Sequence, residues 1–193
     1  MKDGAIQYYV ITDDEIEKII KISAEEASQK ALEIYERKKQ EMKEERRDKR
    51  LRNTRILLRN YRMLMMNRDN SIYMRSQVEE SAADILENMM NLYDDDVIID
   101  SIKRSTTRTA IIVAHVENML EIYRCYCYHT SKDELDIRRY EILYRHYIAD
   151  ETEEIAELAE RFAVSADTVY SDLRIACERL SALIFGVDGL YWN

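Results

Sequence analysis

The sequence has no proline, and only three glycines among its 193 residues. Gly4 lies near the start; Gly186 and Gly189 lie near the end. Nothing between them breaks a helix by backbone chemistry. Sheet proteins and turn-rich folds use both residue types at their bends, so their scarcity predicts long uninterrupted helices. No run approaches 18 consecutive apolar residues, which leaves no candidate membrane span and predicts no membrane partner. The opening "MKDGAIQYYVITDDEIEKII" carries acids where a signal peptide needs an apolar stretch, so export is not expected. Cysteine is scarce as well: Cys125, Cys127 and Cys177 are an odd set without framework spacing, as expected of a reducing cytoplasm. Cys125, Cys127 and His129 invite a metal reading, but residues two apart do not share a helix face, so no metal ligand is assigned. The chain lacks a P-loop and a glycine-rich phosphate cradle. Its three histidines, His115, His129 and His146, stand apart, and its many carboxylates form no recognisable catalytic pair. Neither an enzyme nor a cofactor is expected.

What is present is helical periodicity, and the fold class it predicts is all-α. Thr12 and Glu15 have capping-box spacing and open a helix from residue 12 to about 36. Along it Ile16, Ile19, Ile20, Ala27, Ala31 and Ile34 trace an apolar stripe that needs a partner surface. Docking on the rest of the chain or homo-oligomer formation through this helix would supply one. At Arg37 the composition turns basic. Residues 37–62 hold 12 basic and 4 acidic side chains, a net of +8 in a chain of net charge −9. From Arg37 to Arg50 the only apolar side chain is Met42. This segment reads either as a solvated connecting helix or as a phosphate-contacting one. In the second case Arg46, Arg47, Lys49, Arg50, Arg52 and Arg55 are the contacts. An apolar face returns at Leu51, Ile56, Leu57, Leu58, Tyr61, Leu64 and Met65.

Asn67–Ser71 reads as a break, because Asn, Asp and Ser compete with the helix for backbone groups. A helix from about 72 to 92 follows, with Val78, Ala82, Ile85, Leu86 and Met89 inward. Asp94–Ser101 reads as a connection. A helix from about 102 to 129 turns Ile102, Thr109, Val113, Val116, Leu120 and Tyr123 toward a core. His129–Glu134 is a loop in which Ser131 or Asp133 caps the next helix, 134–148, with Leu135, Ile142, Leu143 and Tyr147 on its buried side. Three regions result: an N-terminal helical and basic region over 1–70, a central helical region over 71–131 and a C-terminal domain over 132–193.

The C-terminal domain carries the clearest motif. A helix starting at Thr152, "TEEIAELAERF", has Ile155, Leu158 and Phe162 on one stripe. Ala163 stands at the turn, where glycine is usual, Val164 plugs the angle, and Ser165 caps the following helix. There Val169, Leu173, Ala176 and Leu180 form the inward stripe. Ser165, Ala166, Asp167, Thr168, Tyr170, Ser171 and Arg174 are left as the candidate DNA-reading set.

This helix-turn-helix resembles the "VSxxTVYRDL" recognition pattern of bacterial regulators and of sigma-factor region 4. The wider span "RRYEILYRHYIADETEEIAELAERFAVSADTVYSDLRIACERLSALIFG" resembles the C-terminal half of phage late-gene transcriptional activators of the RinA and ArpU type. The resemblance implies a DNA-binding transcriptional regulator of phage or prophage genes, with double-stranded DNA and RNA polymerase as partners. Two positions depart from the pattern: Ser171 stands where arginine is typical, and Asp167 where a polar or basic residue is expected. The supposed reading helix also carries Asp172 and Glu178, and residues 132–193 hold 7 basic against 14 acidic side chains, net −7. Duplex DNA binds mainly through neutralised phosphates, so this domain alone is a poor ligand for it. Two sources of electrostatics remain, the +8 segment and a polymerase partner. The second reading is a non-enzymatic interaction module that docks on RNA polymerase or serves phage assembly or packaging, with the helix-turn-helix as a scaffold.

Overall fold

A computed structural model describes residues 11–69, 81–103 and 105–186. All regular structure among them is helical. The chain divides into two compact units, 1–45 and 46–193.

Helix α1 (Asp13–Arg59) is continuous through the change of composition at Arg37. It starts as the sequence predicts: the Thr12 amide donates to Glu15 at 2.9 Å, and the Glu15 amide donates back to the Thr12 hydroxyl at 3.4 Å. The Thr12 amide, and the Thr12 hydroxyl donating at 3.0 Å, hold the Glu15 carboxyl below its ordinary range. Every described residue from Ile11 to Asp48 is exposed. In the second unit α1 becomes a core element, burying Ile56, Leu57 and Leu58. It yields to α2 (Tyr61–Asp69) at Asn60, whose side-chain amide donates to the Ile56 carbonyl at 2.9 Å. A side chain that bonds its own backbone competes with the helical ladder and marks the junction. The expected break at Asn67–Ser71 does not begin there: Asn67, Arg68 and Asp69 continue α2, and the other two residues lie outside the described ones.

Helix α3 (Ala82–Met90) is capped by Ser81 and Asp84 in a reciprocal box, and it buries Ile85, Leu86 and Met89 as expected. The expected helical residues 72–80, Val78 among them, lie outside the described residues. The expected connection at Asp94–Ser101 is instead α4 (Asp95–Lys103), with Ile98, Ile99 and Ile102 buried. Asp94 accepts from the amides of Asp96 and Val97 at 2.9 and 3.1 Å, and Asp95 and Asp96 fill the first turn. Acids there complement the helix dipole, so the aspartate run starts a helix.

Helix α5 (Thr106–Cys125) is therefore shorter than the expected 102–129 and is capped by Ser105. Its core face is the predicted one: Thr109, Val113, Val116, Leu120 and Tyr123 are all buried. A π-helical turn, Tyr126–Ser131, leads out of α5 and ends at Lys132, which has φ 56°. Helix α6 (Glu134–Tyr147) follows, with Asp133 as its cap. Ile142 and Leu143 are buried, but Leu135 is 43% exposed and not inward as expected. Tyr140 fills the inner face in its place, edge-on to Tyr123 at 5.6 Å between ring centres.

Helices α7 (Ile155–Arg161) and α8 (Ala166–Phe185) complete the second unit, and α5, α6 and α7 all pack on α8. Among the described residues no helix is long and apolar enough to cross a membrane.

Candidate nucleic-acid interface

The sequence expectation started α7 at Thr152, but it begins at Ile155. Glu154, not Thr152, is the cap, and its amide donates to Glu157 at 2.8 Å. The segment before it is tied to α6 and α7 by Glu153, which accepts from Arg145 at 3.0 Å and from Arg161 at 2.7 Å. The Arg161 bond leads in holding the Glu153 carboxyl below its ordinary range. Leu158 is fully buried, while Ile155 and Phe162 are half-buried.

The turn has the predicted parts. Ala163 sits at φ 50°, the left-handed region where a Cβ is disfavoured and glycine usual. The Val164 amide reaches back to the Ala159 carbonyl at 3.0 Å, and the Val164 side chain is half-buried against the core. Ser165 caps α8 by accepting from the Thr168 amide at 3.1 Å, with the two hydroxyls 2.9 Å apart. Val169, Leu173, Ala176 and Leu180 are all buried. That stripe fixes the rotation of α8, so Ala166, Asp167, Tyr170, Ser171 and Arg174 are exposed, with Thr168 half-buried at the edge. Tyr170, at 60% exposure, presents the largest apolar surface of the set.

The acids of α8 do three different things. Asp172 is only 3% exposed and points into the domain. It accepts from Arg138 Nε at 2.8 Å and from Arg139 Nε at 3.2 Å. Both arginines lie on α6, so the contact joins two helices. Glu178 is partly covered by two cations, Arg174 at 3.0 Å and Arg47 at 3.2 Å. Asp167 alone stands exposed, in the first turn of α8, where a carboxylate favours the helix dipole. Two of the three acids that make this helix look acidic in the sequence are thus buried or paired, and Asp167 is the one left on the surface.

A second buried carboxylate, Asp136, completes the network under α8. It accepts from Ser131 Oγ at 2.8 Å, from Arg139 Nη1 at 3.1 Å, and from Arg179 Nη1. Burial pushes this carboxyl up. The hydrogen bonds from Ser131 and Arg179 and the charges of Arg179 and Arg139 outweigh it, and hold Asp136 below its ordinary value of 3.8. The sequence reading missed this cluster.

The basic segment divides in the same way. Arg46 is exposed, and Arg47 remains 69% exposed although it pairs with Glu178. The others are half-buried and engage neighbouring groups. Lys49 lies over the Tyr93 ring, 4.7 Å from its centre, and donates to its hydroxyl at 3.3 Å. Arg50 reaches the Gly186 carbonyl at 3.5 Å. Arg52 donates to the carbonyls of Leu92 and Tyr93 at 2.7 and 3.0 Å, in the connection between α3 and α4. Arg55 is half-buried, and its charge bears on the buried Cys177 thiol.

The thiols do not converge. Cys125 is exposed, whereas Cys127 and Cys177 are buried, and burial pushes each of those two up to about 11. Among the described residues no group of three or more metal-ligating side chains is placed to hold a metal.

No family model, curated protein or solved structure matches the chain.

Proposed function

We propose that the chain is a cytoplasmic, non-enzymatic DNA-binding regulator of phage or prophage transcription that reads double-stranded DNA with the exposed face of α8. The observation that supports this reading is the rotation of that helix. Its buried stripe and its bond to α6 remove Asp172 from the surface, and Asp167, Thr168, Tyr170, Ser171 and Arg174 line the face that remains. A reading helix needs short polar groups and an arginine near its N-terminal half to reach base edges, and this face supplies them. Phosphate affinity falls chiefly to Arg46 and Arg47, the most exposed cations at the α1 end of the second unit. RNA polymerase is the second partner in this proposal, and self-association through α1 would double the reading helices, as two-fold operators require.

The test is selection from a random duplex pool at low salt, followed by salt titration of the enriched site. Enrichment of a defined site that Arg174→Ala abolishes supports the reading.

One observation favours the interaction-module reading: Tyr170 is exposed on a domain of net charge −7, which suits a basic protein surface better than a polyanion. Under that reading, Tyr170→Ala abolishes capture of RNA polymerase while no duplex is enriched at any salt concentration.

A further inference from the structure

Residues 13–45 of α1 carry an uncovered apolar face with an unusual internal symmetry. Ile16, Ile20, Ala24, Ala27, Ala31, Ile34 and Met42 recur at helical spacing and fall on one side. Ile16, Ile20, Ile34 and Met42 are between 44% and 61% exposed. The alanines occupy the middle and the large side chains both ends, with Ala27 midway between Ile20 and Ile34. Small residues at the centre let a second helix approach to the short end of the usual interaxial range, about 8 Å.

The charges of the same segment are not symmetric. Asp13, Asp14, Glu15 and Glu17 crowd the start, and Arg37, Lys38 and Lys39 form a basic run toward the other end, flanked by Glu36 and Glu41. Any interface between identical helices must be self-complementary. A parallel pair would set acidic block on acidic block and basic on basic. An antiparallel pair centred near Ala27 sets Glu15 and Glu17 level with Lys39 and Arg37 of the other copy and keeps Ile20 level with its Ile34. We propose that the occupant of this face is a second copy of the chain, paired antiparallel through residues 13–42. The pairing does not depend on DNA binding, so it stands or falls separately from the regulator reading.

Sedimentation of the full chain over a wide concentration range is the first measurement, and a monomer–dimer equilibrium is expected. Reversing the basic block with Arg37→Glu, Lys38→Glu and Lys39→Glu should weaken the dimer at least tenfold. Adding Asp13→Lys, Asp14→Lys and Glu17→Lys to the same chain should restore it. In a parallel pair the first change replaces one like-charge contact with another and leaves the affinity unchanged. Polarity is read directly by spin labels at Asp14→Cys, with Cys125→Ser removing the exposed native thiol. Antiparallel pairing separates the two labels by about 26 residues of helix rise, about 39 Å. A monomer at every concentration, an oligomer larger than a dimer, a label distance below about 20 Å, or failure of the second charge set to restore pairing would each overturn the proposal.

Discussion

Arg139 and Asp172 lie 33 residues apart in sequence and 3.2 Å apart in space, Nε to Oδ1. The same guanidinium reaches Asp136 at 3.1 Å through Nη1, so one arginine of α6 bridges two buried carboxylates. Removing one partner of such a cluster strands the others. Asp172→Ala is expected to cost about 3 kcal/mol and to lower the melting temperature by about 10 °C. Its exposed neighbour, Ser171→Ala, should stay within about 0.5 kcal/mol of the parent. Thermal denaturation of both variants checks this, and equal stability would place Asp172 on the surface.

The cluster also sets the acid limb of stability. Asp136 titrates below its ordinary value of 3.8 in the folded chain, so the unfolded chain takes up its proton first as pH falls. Its contribution is complete above that ordinary value and disappears as pH drops through the lower, folded one. Asp136→Asn should therefore reduce stability at neutral pH and flatten the curve below about pH 4, where the parent loses stability. Urea unfolding across that window is the measurement; a variant curve parallel to the parent's would deny Asp136 this role.

Much of this arrangement was legible in the sequence. Val169, Leu173, Ala176 and Leu180 announce an inward stripe by spacing alone, and Thr12, Ser165 and Asp133 announce helix starts, because caps and stripes are local signals. The aspartates from Asp94 to Asp96 are also a local start signal, but read as a polar connection they hid α4. The remaining misses have a different cause. Asp172 with Arg138, and Arg52 with the Leu92 carbonyl, are pairs 34 and 40 residues apart. No periodicity encodes which of many exposed-looking charges will find a distant partner, so both looked available for DNA or solvent.

Ala163 supplies a backbone test of the turn. At φ 50° its Cβ is disfavoured, and glycine relieves that strain while adding entropy to the unfolded chain. Ala163→Gly should raise stability by up to about 1 kcal/mol, and Ala163→Val should lower it. Chemical denaturation of the pair reads the sign. Destabilisation by glycine would mean that the turn does not adopt this conformation.

The thiols report on the packing of the second unit. Under native conditions Cys125 should react with a maleimide, while Cys127 and Cys177, buried and pushed up to about 11, should not. Mass spectrometry should find one adduct on the folded chain and three after denaturation. Rapid labelling of Cys177 would open the contact between α8 and the basic part of α1.

The central claim, that α8 reads DNA with a face from which its buried acid has been removed, is tested most directly at Asp167. Binding of the parent and of Asp167→Asn is measured by fluorescence anisotropy on a selected duplex and on unrelated duplexes over a range of salt concentrations. If Asp167 accepts from a cytosine amino group, the change weakens the selected site by about 1–3 kcal/mol and leaves the others alone. If Asp167 only repels phosphate, binding to every duplex improves. Either outcome accords with a DNA-facing α8, and the exposure of Asp167 beside Tyr170 and Arg174 predicts the site-specific loss. No binding by parent or variant at any salt concentration, with or without RNA polymerase, would contradict the account.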